Sequence, residues 1–328
     1  MTVTKMNALQ AVNAALMQAM AEDPKVIVLG EDIADREGGG VTGATRGLST
    51  KYGDDRVKST PISEQAIIGA AIGAALSGYK PVAEIMLMNF TAVCMDMIFN
   101  HAAKLRFMSG GQSTVPITIR TLTGAGWQTA GQHADHLEGW FAHTAGIKVV
   151  APSSPADYKG LLLSCIQDPD PCIFIESAGT VFIPGDVPDD QPPIPLGKAR
   201  IVQEGTDVTI ISWSSQIIRC QQALPALAEA GISVELVDLR TVSPWDKETV
   251  LASVAKTGRA VIAHEAVRHF GPGGEIASTI SEELFGQLKA PVRRLGAPYS
   301  PVPFAKVLED AYIVSPERVV ETVKALMG

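Results

Sequence analysis

Short runs of consecutive apolar residues alternate with stretches of helical periodicity along almost the entire chain. The runs "KVIVLGED" (25–32), "KPVAEIML" (80–87), "VPITIRT" (115–121), "IKVVAPS" (147–153) and "PCIFIES" (171–177) read as buried strands. Helical patterns lie between them at 7–22, 63–78, 91–108 and 155–167. Strands that are apolar on both faces and separated by helices predict a parallel sheet covered on both sides. The alternation stops at "FIPGDVPDDQPPIPLG" (182–197), where Pro, Gly and Asp are too dense for regular structure, and this stretch reads as an interdomain linker. It then resumes with "DVTIISWS" (207–214), a helix at 217–230, "SVELVDLR" (233–240), a helix at 246–256, "RAVIAHE" (259–265), a helix at 273–285 and "APVRRLGAP" (290–298). The expectation is an α/β protein of two domains, a larger one over 1–190 and a smaller α/β one over 198–328.

Composition sharpens this picture. A length of 328 residues suits two domains, and 46% hydrophobic against 19% charged residues supplies ample material for two cores. The net charge of −8 lacks the basic stripe that a nucleic-acid or membrane-surface partner requires. The small-residue run at 66–78 is broken by glycines and too short to span a bilayer, so it reads as a buried helix. "MTVTKMNALQ" has no basic-then-apolar signal pattern, and Cys94, Cys165, Cys172 and Cys220 show no CxxC spacing. Together these features predict a cytoplasmic protein with reduced core thiols.

One carboxylate stands out. In "STPISEQAIIGAAIGAALSGYKP" (59–81), Glu64 opens a helix of Ala, Gly and Ile, with Ser63 as the expected N-cap. Such an acid ordinarily does no more than complement the helix dipole. The absence of a polar face, however, predicts that this helix is packed on both sides, so Glu64 would sit where its proton affinity rises.

Residues 131–143, "GQHADHLEGWFAH", concentrate three of the six histidines. They could serve as zinc ligands, with His133, His136 and either His143 or Asp135 in that role. Alternatively, one histidine acts as acid or base on a glycine-flanked loop, or Asp135 and Glu138 simply pair with the imidazoles. "GPGGEIAS" (271–278) fits a tight turn into a helix better than a phosphate cradle. No GxGxxG fingerprint, Walker motif, GxSxG elbow or metal box occurs, which suggests that part of the chemistry comes from outside the chain.

The order of motifs carries a resemblance. "VIVLGEDIA" (26–34), the segment 46–85 around "TPISE", "IFNHAAKLRFMSGG" (98–111), "AGQH" (130–133), "GIKVVAPSSPADYKGLLLSCI" (146–166) and "VDLRTVSPWDKETV" (237–250) closely resemble the beta subunit of the thiamine-diphosphate-dependent 2-oxoacid dehydrogenases. These are the decarboxylating first components of pyruvate, branched-chain and acetoin dehydrogenase complexes. The resemblance implies a transketolase-like pyrimidine-binding domain followed by a transketolase C-terminal domain.

It also implies roles. Glu64 would hydrogen-bond the aminopyrimidine of thiamine diphosphate and promote the tautomer that deprotonates the thiazolium C2, a task suited to a carboxyl in a dry pocket. Ile62, Met86 and Phe90 would line the cofactor, Phe90 against the ring face. His133 would act near the reacting carbon, on the intermediate or its transfer to the lipoyl group. By resemblance to branched-chain relatives, Val115, Ile117, Thr118, Cys165, Asp168 and Asp170 would hold potassium, mostly through carbonyl oxygens.

Partners follow from the same resemblance. The diphosphate and magnesium are held in this family by a GDG motif on an alpha subunit, and no GDG occurs here. The implied assembly has two alpha and two beta chains and hands its acyl group to a dihydrolipoamide acyltransferase. Departures surround the substrate side: "HADH" replaces the usual HSQ and adds His136, Met86 stands where some relatives place Gln, and "SAGTVF" (177–182) replaces a Leu-Tyr pair. They leave the substrate open among pyruvate, branched-chain 2-oxoacids and acetoin. A zinc hydrolase built on the 133–143 histidines, or a scaffold without chemistry, are the alternatives.

Overall fold

The computed structural model describes residues 2–328. The first domain comprises β1 (Val3–Met6), α1 (Ala8–Glu22), β2 (Val26–Glu31), α2 (Leu48–Tyr52), β3 (Val57–Thr60), α3 (Glu64–Leu76) and β4 (Lys80–Leu87). It continues with α4 (Leu105–Met108), β5 (Thr118–Thr123), α5 (Glu138–Ala142), β6 (Lys148–Val150), α6 (Pro155–Gln167), β7 (Cys172–Ser177) and β8 (Gly185–Pro188). The second contains β9 (Arg200–Gln203), β10 (Val208–Ser212), α7 (Gln216–Glu229), β11 (Val234–Asp238), β12 (Thr241–Ser243), α8 (Lys247–Thr257) and β13 (Ala260–Val267). It closes with α9 (Gly273–Glu283), β14 (Arg293–Ala297), α10 (Lys306–Tyr312) and α11 (Pro316–Met327).

Two twisted sheets carry the fold, as the alternation of apolar runs and helices predicts. The larger has seven strands in the order β12-β6-β7-β5-β4-β2-β3, and the smaller five in the order β14-β13-β10-β11-β9. Within these two sheets, among the described residues, only the edge strands β12 and β9 run antiparallel to their neighbours. The central strands β5 and β7 are buried at every position, because helices cover both faces. Local chemistry sets the helix starts: a capping box of Asn7 and Gln10 opens α1, and Ser154 with Pro155 at the first turn opens α6.

Three expectations need correction. The stretch 91–108 is not one helix but a 3-10 segment (Met88–Cys94), a π segment (Met97–Ala102) and the short α4. The supposed structureless linker contains β8, which pairs antiparallel with β1 at the N-terminus. Finally, β12 follows the linker in sequence yet completes the first domain's sheet by pairing with β6. One apolar core accordingly runs through both domains, with Trp213, Val237 and Leu239 packed together with Phe141, Ile147 and Ile173.

Among the described residues no helix is long and apolar enough to cross a membrane. The four cysteines are buried and unpaired, matching their reading as core thiols.

Candidate functional site

The chemistry-bearing residues cluster at the carboxyl ends of β2, β4, β5 and β7, the edge of an open α/β sheet where ligands ordinarily bind. A buried ion triad joins three of these strands. Arg120 on β5 donates from Nη1 to Glu84 Oε2 of β4 at 2.7 Å and from Nε to Glu176 Oε1 of β7 at 2.7 Å. Burial pushes the Glu176 carboxyl up, Arg120 pulls it down and neighbouring Glu84 adds to the rise.

Glu64 begins α3, as expected, but its surroundings differ from those expected. The Ser63 hydroxyl does not cap the helix; it donates to the Pro61 carbonyl at 3.0 Å. Burial, reinforced by the nearby charges of Glu64 and Asp32, raises Glu31 above the usual carboxylate range. Packing is one-sided. Ile67, Ile68, Ala71, Ile72 and Ala75 are buried, whereas Ala66, Ala70, Gly73 and Leu76 are exposed. The expectation of a helix covered on both faces therefore fails within this chain: hydrophobic composition alone does not say which subunit covers a face. Half-buried Glu64 lines a cavity of about 670 Å³ with Ile62, Gly69, Ala70, Val93 and Met97, and Ile62 is 83% exposed beside it. On its inner side Glu64 faces Cys94, whose thiol burial, and secondarily Glu64, push up to about 12.

The second centre is His133, on the loop between β5 and α5. Phe90 meets it edge to face at a centroid distance of 5.3 Å, and the buried Nδ1 of His133 has no hydrogen-bond partner among the described residues. His133 borders a cleft of about 620 Å³ whose opposite wall is Ser300 and Pro301 of the second domain. The loop is held strained: Gln128 and Ala130 take left-handed φ values of 54° and 61°. Glu309, buried in the second domain, accepts from the Gly126 amide at 2.7 Å and the Gln128 amide at 3.1 Å.

The residues singled out as cofactor-lining thus fall in three places. Ile62 and Glu64 share the α3 cavity, Phe90 abuts His133, and Met86 borders a small void with Glu84, Arg120 and Glu176. The six residues proposed for potassium do converge around the start of β5. Val115, Ile117, Thr118 and Cys165 are buried, and the Thr118 hydroxyl is orphaned. Asp168 accepts from Lys148 at 2.5 Å, while Asp170 pairs with Arg106 at 2.6 Å and with Lys148 at 3.3 Å. An unpartnered buried hydroxyl fits an oxygen-seeking monovalent ion, whereas the two carboxylates already have cations of their own.

No zinc site forms: among the described residues, no three His, Cys, Asp or Glu side chains are arranged to hold a metal. His143 is exposed, and His136 is turned away to two carboxylates. The glycines of 271–274 have a packing reason, since a Cβ at Gly271 or Gly273 would come within 2.8 Å of the buried His264 ring. Sequence reasoning missed Glu31 and Glu309. Each is the first of an adjacent Glu-Asp pair at the end of a strand or in the first turn of a helix, with no local signal to distinguish it from a solvated charge.

Comparison with known proteins agrees with this geometry. Residues 4–182 match the transketolase pyrimidine binding domain, and residues 197–319 the transketolase C-terminal domain. The chain is 45% identical over 325 residues to the acetoin:2,6-dichlorophenolindophenol oxidoreductase subunit beta of Cupriavidus necator, covering 97% of this chain and 96% of the relative. It is 40% identical to the pyruvate dehydrogenase E1 component subunit beta of Bacillus subtilis, covering 99% of both. With the mitochondrial 2-oxoisovalerate dehydrogenase subunit beta of Dictyostelium discoideum it shares 44%, over 98% of this chain and 87% of the relative. A split-gene transketolase, solved as an inactive beta4 tetramer, shares the fold with a TM-score of 0.81 at 22% identity, covering 98% of both chains. Because this likeness is sustained from end to end across relatives of three substrate types, the chain belongs to the beta-subunit family of the thiamine-diphosphate-dependent 2-oxoacid and acetoin dehydrogenases.

Proposed function

We propose that this chain is the beta half of a first component that oxidatively decarboxylates a 2-oxoacid and transfers the acyl group to lipoamide, working with an alpha subunit in a heterotetramer of two alpha and two beta chains. One observation carries the reading: a half-buried carboxylate, Glu64, opens a helix whose small-residue face is exposed, beside a cavity that this chain walls on one side only. The cavity fits a flat pyrimidine ring, with Ile62 and Glu64 at its wall, and the exposed Ala66, Ala70 and Gly73 leave room for close approach by a second chain. Diphosphate and magnesium would be held by that alpha subunit. Dryness around Glu64, which this chain alone does not supply, would come from the same partner.

Bound there, thiamine diphosphate supplies a nucleophilic carbon and the electron sink that decarboxylation needs. The task of Glu64 is to hold a proton at the pyrimidine nitrogen. Phe90 fixes the His133 ring from its edge, leaving an unpartnered Nδ1 to orient or protonate the substrate-derived group in the cleft. The Glu84–Arg120–Glu176 triad keeps the strands that present Met86, Phe90 and the His133 loop in register. A potassium ion would sit at the orphaned Thr118 hydroxyl, with the carbonyls of Val115, Ile117 and Cys165 around it and Asp168 and Asp170 nearby. We place the domain boundary within 182–197 and the docking of a dihydrolipoamide acyltransferase on the C-terminal domain. The buried free thiols suit a cytoplasmic location.

Acetoin cleavage is the second reading, favoured by identities of 45% and 42% to two acetoin-oxidising relatives. The test is co-purification with the alpha subunit and assay on pyruvate, branched-chain 2-oxoacids and acetoin in the presence of lipoamide. Turnover on none of them would sink both readings. Tight cofactor binding by the isolated, monodisperse chain would sink the half-site claim.

A further inference from the structure

We propose that His136 is a positioning residue. As a cation buried between two carboxylates, Glu138 of the first domain and Glu265 of the second, it holds the His133 loop across the domain boundary. Its Nδ1 lies 3.5 Å from Glu138 Oε2 and its Nε2 lies 3.3 Å from Glu265 Oε2. The three side chains are 5%, 1% and 7% exposed, so water does little to screen the charges. Both acids are themselves fixed. Glu138 accepts from the Trp213 indole at 3.2 Å, and Glu265 accepts from Arg219 at 3.2 Å and from the Ser177 hydroxyl at 3.3 Å. Counted as a unit, the cluster holds two carboxylates, one guanidinium and His136, and it is neutral only when the imidazole carries its proton.

The consequence for His133 follows from chain connectivity. His136 lies three residues beyond it, with Ala134 buried between them. On the first domain, Asn89 donates to Asp135 at 2.8 Å and to the Gly131 carbonyl at 3.1 Å. On the second, Glu309 takes two amides at the start of the loop, and Glu265 Oε2 faces His136 Nε2 at 3.3 Å at its end. The loop is therefore anchored to the C-terminal domain at both ends, and that domain supplies the far wall of the cleft at Ser300 and Pro301.

Other titratable groups surround the site without replacing this cation. His264 stacks on Trp213 at 5.2 Å, and burial drives its ring down to about 4, so it is neutral at working pH. Tyr312 is raised to about 12 by burial and by Asp135, Glu138 and Glu265, and stays neutral as well. Burial also works against a charge on His136, but the fields of Glu265 and Glu138 outweigh it and raise the imidazole to about 10. The two acids are correspondingly held below the usual carboxylate range despite their own burial.

This inference rests on the reading of His133 as the residue that acts on the substrate-derived group, and the test separates the two. In the assembled enzyme, His136→Gln should lower kcat for acyl transfer to lipoamide by roughly tenfold or more. It should leave C2-proton exchange of the bound cofactor within about twofold of wild type. Its melting temperature should fall by several degrees at about pH 8, where wild-type His136 still holds its proton and the variant leaves a buried carboxylate uncompensated. His136→Gln/Glu138→Gln, which restores neutrality, should recover most of both losses. A double variant no more stable and no more active than the single one would overturn the charge pairing. If His133→Ala loses acyl transfer and His136→Gln keeps it, the positioning role is wrong. Full transfer by His133→Ala would refute the role of His133 instead, and the melting data would still decide the His136 charge.

Discussion

Arg120→Met tests whether the buried triad holds the site together. The guanidinium is 2% exposed and bonds Glu84 at 2.7 Å and Glu176 at 2.6 and 2.7 Å. Met matches the length of the stem but leaves two carboxylates facing each other without a cation. The resulting penalty has a ceiling, because the pair can relieve itself by taking up a proton. With an ordinary carboxyl value of 4.5, protonation at about pH 7.5 costs roughly 4 kcal/mol. That figure agrees with the 3–5 kcal/mol typical of a buried ion pair robbed of one partner, so a loss of about 4 kcal/mol is expected. Its sign with pH is fixed. A carboxyl whose folded value is raised destabilises above its unfolded value, and the effect fades as pH falls toward 4.5. Near pH 5.5 the same term shrinks to about 1.4 kcal/mol. Urea unfolding of the assembled enzyme at both pH values, followed by tryptophan fluorescence, measures the difference directly. Should Arg120→Met lose less than about 1 kcal/mol at the higher pH, or lose equally at both, the triad does not work by charge compensation.

Glu64→Gln, nearly isosteric, should fold and assemble normally yet slow C2-proton exchange of bound cofactor by at least roughly a hundredfold. Exchange at the wild-type rate would leave Glu64 as a helix-end charge. His133→Ala should keep that exchange nearly unchanged while acyl transfer to lipoamide falls by roughly a hundredfold, measured in single turnover. Thr118→Val should abolish any rise in melting temperature when sodium is exchanged for potassium, an effect worth about 1–3 kcal/mol at saturation in the parent enzyme. Gly146 has φ of +101° and a Cβ there would lie 2.1 Å from the Ala103 carbonyl oxygen. Gly146→Ala should therefore destabilise by about 3 kcal/mol or more in thermal unfolding, and a near-neutral result would mean the loop shifts freely.

Much of this protein is written locally. Predominantly apolar runs such as 171–177 read as buried strands, the caps at Asn7 and Ser154 start helices where they stand, and the order of motifs identifies the family. Glu64 and His133 stand out as candidates because each lies in a short stretch whose composition is unusual by itself. What the sequence could not show depends on contacts between distant segments. The pairing of β1 with β8 and the insertion of β12 beside β6 join strands far apart in the chain, and a strand three or four residues long carries too few side chains to announce its neighbour. The stretch 91–108 has helical composition, yet its backbone tightens and widens into 3-10 and π turns beside α3 and β4. Glu84, Arg120 and Glu176 read as three separate charges inside apolar strands, and only the parallel register sets them side by side. For His136 the sequence leaves zinc ligation, acid–base work and pairing with Asp135 or Glu138 all open. Its partner Glu265 lies more than a hundred residues away, and the electrostatics of a buried imidazole are decided by what faces it rather than by what precedes it in the chain.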